Sequence, residues 1–135
     1  MLTQRTIYIT AADMTRLRAL VAANRDPRED IQALAAELDR AHVVSPAEIP
    51  RDVITMNSKA SLREVGTDDM MTYTLVFPDQ ANIETRRISI LAPIGTAMLG
   101  QREGDEFDWE VPAGKVRLRV EKVHYQPEAA GHFHL

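Results

Sequence analysis

The feature that most constrains this chain is a change of hydrophobic period part-way along its 135 residues. Up to Ala41 the apolar residues recur at helical spacing, and from Asp52 onward they tend to alternate. A helical segment and a sheet segment must therefore share one small protein. Thr10 is placed to cap the first helix, with Asp13 three residues on. Met14, Leu17 and Val21 follow at i, i+3 and i+7, and Leu20 widens the stripe. This first helix is expected over Ala12–Asn24. A second start signal follows immediately: Asp26 can cap, Pro27 sits where its missing N–H costs nothing, and Glu29 can close a capping box. Ile31, Leu34, Ala35, Leu38 and Ala41 then form a second stripe. Two short amphipathic helices so tightly joined are expected to lie antiparallel, as a helical hairpin that buries both stripes together. Ahead of them, Thr6–Thr10 reads as a short strand or extended lead-in.

Ser45-Pro46-Ala47-Glu48 repeats the cap signature, but Pro50 leaves room for no more than one turn. Val44–Pro50 therefore reads as a linker, dividing the chain into residues 1–46 and 47–135. Beyond it, Asp52–Met56, Ala60–Val65, Met70–Phe77, Arg87–Leu91, Glu106–Val111 and Lys115–His124 are strand candidates. Turn signals stand at Asn57-Ser58, Gly66–Asp69 and Pro112–Gly114. Pro93–Leu99 reads as a short helix stopped by Gly100. The expected class is α+β: a short helical hairpin followed by a mostly antiparallel sheet of five or six strands with one short helix.

Charge and composition narrow the function. With no cysteine, a disulfide framework, thiolate zinc sites, iron–sulfur clusters and a cysteine nucleophile are excluded. Residues 1–46 carry 6 basic and 6 acidic residues, and residues 47–135 carry 10 and 14, so the net charge of −4 belongs to the sheet segment. A neutral hairpin and an acidic sheet suit contact with protein better than with nucleic acid, and no strong direct nucleic-acid binding is expected. The N-terminal residues lack a signal-peptide apolar region and no run approaches 18 apolar residues, so a cytoplasmic protein without membrane contact is expected. No nucleotide-binding, zinc-protease or serine-hydrolase motif is found.

The run Ile88–Glu106, ISILAPIGTAMLGQREGDE, resembles the C-terminal signature of the bacterial Gre transcript-cleavage factors, the GreA/GreB family. There a strand, a Ser-Pro-(Leu/Ile)-(Gly/Ala) turn, a short Ala-Leu-Leu helix and Gly-Asp-Glu lead into the last strands. Pro93, Ile94, Gly95, Ala97, Met98, Leu99, Gly100, Gly104, Asp105 and Glu106 are the matching residues here. Ala36–Ala41, Asp52–Ser58 and Tyr125–Gly131 resemble a short branch of that family, the regulators of nucleoside diphosphate kinase. The resemblance implies an N-terminal antiparallel coiled-coil hairpin and an FKBP-like C-terminal domain. In Gre factors that domain docks on the rim of the RNA polymerase secondary channel while the hairpin enters it. Acidic tip residues then help hold the Mg²⁺ with which the polymerase cleaves its own backtracked RNA.

The resemblance implies candidate sites of unequal strength. Leu91, Ala92, Pro93 and Ile94 match the loop that meets the channel rim, a rigid apolar patch with little ordering cost. Where some Gre members carry Asp-Ser-Pro, this chain has Leu91-Ala92-Pro93, so the proline stays and the polar contact goes. The competing local explanation is that Leu91 and Ile94 pack in the core. Asp26, Glu29 and Asp30 correspond to the hairpin tip, yet they also make a helix-start signature with its own reason to be acidic. A helix of this length reaches only about 20 Å at ~1.5 Å per residue, so cleavage is not expected and no catalytic residue, resident metal or cofactor is assigned. His132 and His134 have i, i+2 spacing but no third ligand nearby, while His42 and His124 are isolated. Tyr73, Phe77 and Trp109 could line a prolyl-isomerase-type cleft, but singly placed aromatics on strands more often form core. Arg86, Arg87, Arg117 and Arg119 suit a solvated strand face better than nucleic acid. The expected function is a monomeric, non-enzymatic transcription regulator that binds RNA polymerase and competes with longer Gre-type factors. The alternatives are weak transcript cleavage through the tip acids, or a peptide-binding, isomerase-like module.

Overall fold

Thr10 caps the first helix. Its Oγ1 accepts the Asp13 backbone N–H at 3.2 Å, and helix α1 runs from Ala11 to Ala23 in a computed structural model that describes residues 7–23, 29–111 and 114–131. Helix α2 covers Glu29–Arg40. Strand β1 (Tyr8–Ile9) precedes α1, strand β2 (His42–Val43) follows α2, and the two pair in parallel. This ladder ties the start of α1 to the end of α2, and Arg18 pairs with Asp39 at 2.9 Å between the helices. Leu17, Leu34 and Leu38 are fully enclosed, as the two stripes require.

Strand β2 falls just ahead of the expected linker. The His42 N–H donates to the Ile7 carbonyl at 2.7 Å, and the Val44 N–H to that of Ile9 at 2.9 Å. The next residues do form the single turn that Pro50 permits, a 3₁₀ turn over Pro46–Glu48. The Glu48 carboxylate accepts from both the N–H and the hydroxyl of Ser45, at 3.1 and 2.8 Å.

Among the described residues the main sheet has five strands: β3 (Lys59–Glu64), β4 (Met70–Val76), β5 (Arg87–Ser89), β6 (Glu106–Val111) and β7 (Gly114–Tyr125). Their order is β5-β4-β3-β7-β6, and only the β4–β5 pair is parallel. Ala60 and Leu62 of β3 share one face and stand beside Tyr73 and Met71 of β4 and Val123 and Val120 of β7, while Ser61 between them is buried on the other face. Two short helices accompany the sheet, α3 (Pro93–Met98) and α4 (Pro127–Ala130). The second was not expected, although Gln126-Pro127 is a helix start: the Gln126 side chain accepts the Ala129 N–H at 3.2 Å, with proline in the first turn.

One strand expectation is overturned. Asp52–Met56 forms no strand, only the single bridge of Val53 to Arg102. Val53, Ile54, Thr55 and Met56 are all buried in succession, which a half-buried strand cannot achieve, because its side chains point alternately to opposite faces. The segment is enclosed on both sides and hydrogen bonds with the distant residues 100–101: Ile54 N–H to Gln101 O at 2.8 Å, Gly100 N–H to Ile54 O at 2.9 Å. Ile7, Leu17 and Leu38 lie in one hydrophobic cluster with Ile54, Leu75 and Met98. The helices and the sheet thus share a core.

Candidate functional site

The turn between β5 and α3 is built from buried anchors at both ends. Ile90 is fully buried; its N–H donates to the Val76 carbonyl at 2.9 Å, continuing the β4–β5 pairing. Its own carbonyl accepts the Thr96 hydroxyl at 2.6 Å. Between these anchors, Ser89 Oγ accepts the Leu91 N–H at 3.0 Å, and the Ser89 carbonyl accepts the Ala92 N–H at 3.0 Å. The Thr96 N–H donates to the Ala92 carbonyl at 3.0 Å. Pro93 opens α3. Gly95 lets α3 lie on β5, because a Cβ there would fall far inside van der Waals contact of the Ser89 carbonyl oxygen. Ile94 is 5 % exposed and belongs to the core, whereas Leu91 and Ala92 are half-buried against it.

A second constellation joins the helices to the rest of the chain. Asp13 in α1 is only 3 % exposed, and its carboxyl is pushed up to about 7, first by burial and then by the charge of Glu128; Arg16 and Thr10 oppose the shift. Glu128, itself buried, accepts the Thr55 hydroxyl at 2.7 Å. Three residues beyond Asp13, the Arg16 guanidinium lies 3.8 Å from the centroid of the Phe77 ring. Sequence reading missed this constellation: Asp13 in a first helical turn has a local explanation, and nothing local reveals Glu128 opposite it. A cavity of about 450 Å³ opens nearby, between Thr10–Ala12, Val43–Pro46, Glu48 and Glu128.

The segment that holds the β5–α3 turn matches a known family. The model for "Transcription elongation factor, GreA/GreB, C-term" covers residues 49–125, and the "Rnk N-terminus" model covers residues 5–44. The chain belongs to the GreA/GreB family. The regulator of nucleoside diphosphate kinase from Escherichia coli (strain K12) is 45% identical over 102 residues, 75% of either chain. The transcription elongation factor GreA of Syntrophotalea carbinolica is 33% identical over 95 residues, 70% of this chain and 60% of that one. Among solved structures, a prokaryotic transcription elongation factor GreA/GreB from Nitrosomonas europaea superposes with a TM-score of 0.80 at 40% identity, covering 90% of this chain and 100% of the other. These relatives are named as regulators and transcription factors rather than as enzymes.

Within this GreA/GreB member the other sequence candidates are dispersed. Glu29 and Asp30 stand in the first turn of α2; Asp26, His132 and His134 lie outside the described residues. Among the described residues no three histidine or acidic side chains are grouped to hold a metal. No described helix is long and apolar enough to cross a membrane. Arg117 and Arg119 are engaged by acids across the β6–β7 pair. Arg117 meets Glu106 at 3.0 Å and Asp108 at 2.9 Å, and Arg119 meets Glu106 at 2.8 Å. His124 Nε2 is 2.6 Å from Ser61 Oγ, which also meets Thr72 Oγ1 at 2.8 Å. Phe77 is buried beneath Arg16, and Tyr73 in β4 is separated from Trp109 in β6 by β3 and β7.

Proposed function

We propose that this GreA/GreB member is an RNA polymerase-binding transcription regulator, docking at the secondary-channel rim and competing there with longer Gre-type factors without stimulating RNA cleavage. The observation that carries the reading is the braced β5–α3 turn, which presents half-buried Leu91 and Ala92, just ahead of Pro93 at the start of α3, where the resemblance places the docking loop, with Ile94 committed to the core. An apolar turn already held in shape meets a partner with little ordering cost. The segment from residue 47 on acts as the FKBP-like docking domain, and residues 1–46 as a short coiled-coil hairpin.

Hairpin length separates binding from cleavage. The 13 residues of α1 give about 20 Å at ~1.5 Å per residue, so Glu29 and Asp30 at the head of α2 stop well short of an active centre that longer hairpins reach. The protein then acts by occupancy, as a cytoplasmic monomer whose effect follows concentration and affinity. Its relation to nucleoside diphosphate kinase runs through transcription.

Core polymerase captured on the tagged protein, then challenged with a Gre factor, tests the reading. Displacement is expected; simultaneous binding of both factors sinks the competition. A backtracked elongation complex with Mg²⁺ should show no cleavage beyond its intrinsic rate, and added short 3′ fragments lost on Glu29→Ala would favour the cleavage alternative instead.

A further inference from the structure

The bracing of the β5–α3 turn comes from side chains set back from its apex. Ser89 and Thr96 each spend a hydroxyl on the main chain of the turn, one receiving the Leu91 N–H at 3.0 Å and one donating to the Ile90 carbonyl at 2.6 Å. Thr96 is buried at 7 % exposure and Ser89 is half-buried, so Thr96 in particular is poorly placed to meet a partner. Remaining main-chain bonds, Ala92 N–H to Ser89 O and Thr96 N–H to Ala92 O, would survive removal of either hydroxyl. Those bonds would keep the turn closed without the hydroxyls, which themselves hold the Leu91 N–H and the Ile90 carbonyl.

We infer that Ser89 and Thr96 are positioning residues for partner binding, which hold Leu91-Ala92-Pro93 in the docking geometry before the polymerase arrives. The inference rests on the docking reading above. Losing a hydroxyl leaves the contact side chains intact but lets the apex sample other shapes, so only a fraction of molecules is ready to bind and the apparent affinity falls by that fraction. A hydrogen bond of ordinary net strength sets the expected loss at about three- to tenfold.

The test uses the full chain and core polymerase, with Ser89→Ala, Thr96→Val, Thr96→Ser and Leu91→Ala measured by equilibrium binding and by amide hydrogen exchange. Ser89→Ala and Thr96→Val are expected to weaken binding and to speed exchange at Leu91 and Ala92, while the amides of Leu62 and Leu75 keep wild-type protection. Thr96→Ser, which restores the hydroxyl, is expected to restore both readouts. Leu91→Ala is expected to weaken binding without changing exchange at Ala92, which separates contact from positioning. Wild-type affinity in Ser89→Ala, or unchanged exchange at Leu91, overturns the inference. A wild-type chain that fails to bind polymerase overturns the docking reading and this inference with it.

Discussion

Ile7 sits over Gly100 so closely that a Cβ on the glycine would stand 2.5 Å from Ile7 Cγ1. Gly100 has φ +83°, a conformation open to glycine, and Ile7 is 1 % exposed. This contact locks the lead-in to α1 against the end of α3, and so helps set how the helices lie on the sheet. Gly100→Ala adds left-handed strain to overpacking and is expected to destabilise by about 2–4 kcal/mol in urea unfolding. Adding Ile7→Ala should recover the overpacking part only, since the backbone strain stays; a double-mutant cycle measures the share.

Asp13 gives stability a pH dependence of defined sign. Its folded-state pKa of about 7 lies well above the ordinary aspartate value of about 3.9. The folded chain therefore holds a proton that the unfolded chain releases, and stability falls as pH rises from about 4 to about 7, then levels off. Asp13→Asn is expected to flatten that slope and to raise stability at pH 8, by up to about 4 kcal/mol at 1.36 kcal/mol per pKa unit. Glu106, held below the usual carboxylate range by Arg117 and Arg119, acts on the acid side instead, its contribution being lost as pH falls through its depressed pKa. Denaturant midpoints at pH 4.5, 6 and 8, chosen to bracket the window, check the slope.

Arg16 couples to the same group. Arg16→Ala removes the cation over Phe77, at a cost of about 0.5–1 kcal/mol, and removes a charge that lowers the Asp13 pKa. The upper edge of the Asp13 pH window, set by the folded-state pKa, is expected to move upward in this variant while the lower edge stays. Carboxyl titration followed by NMR reads the shift directly.

Gly95 controls the approach of α3 to β5. Gly95→Ala sets a methyl group against the Ser89 carbonyl oxygen, a backbone atom that cannot swing aside, and is expected to cost about 3 kcal/mol. Exchange at Ala92, Thr96 and Leu99, whose N–H groups donate to Ser89, Ala92 and Gly95 carbonyls, should rise more than exchange in β7. Equal protection in wild type and variant would contradict the close packing.

Local chemistry made much of the architecture legible. Thr10 as a cap, the leucine stripes of α1 and α2, and the Pro93 start of α3 are set by residues within a turn or two of one another. The alternation of Val116, Leu118 and Val120 likewise marks β7 through its own neighbours. Asp52–Met56 misled because its composition suits a strand while its enclosure from both sides depends on residues 100–102. Pro93-Ile94-Gly95 was legible as a motif, but the motif does not say which members face inward; Ile94 does.

Helix and strand positions follow from the sequence by itself because capping, periodicity and turn chemistry act over a few residues. Tertiary structure alone decided the β1–β2 pairing, the seating of Ile7 on Gly100, and the charge of Glu128 acting on Asp13. Each joins residues far apart in the chain, and their proximity arises from burial of one shared core, a sum over many side chains that no local pattern encodes.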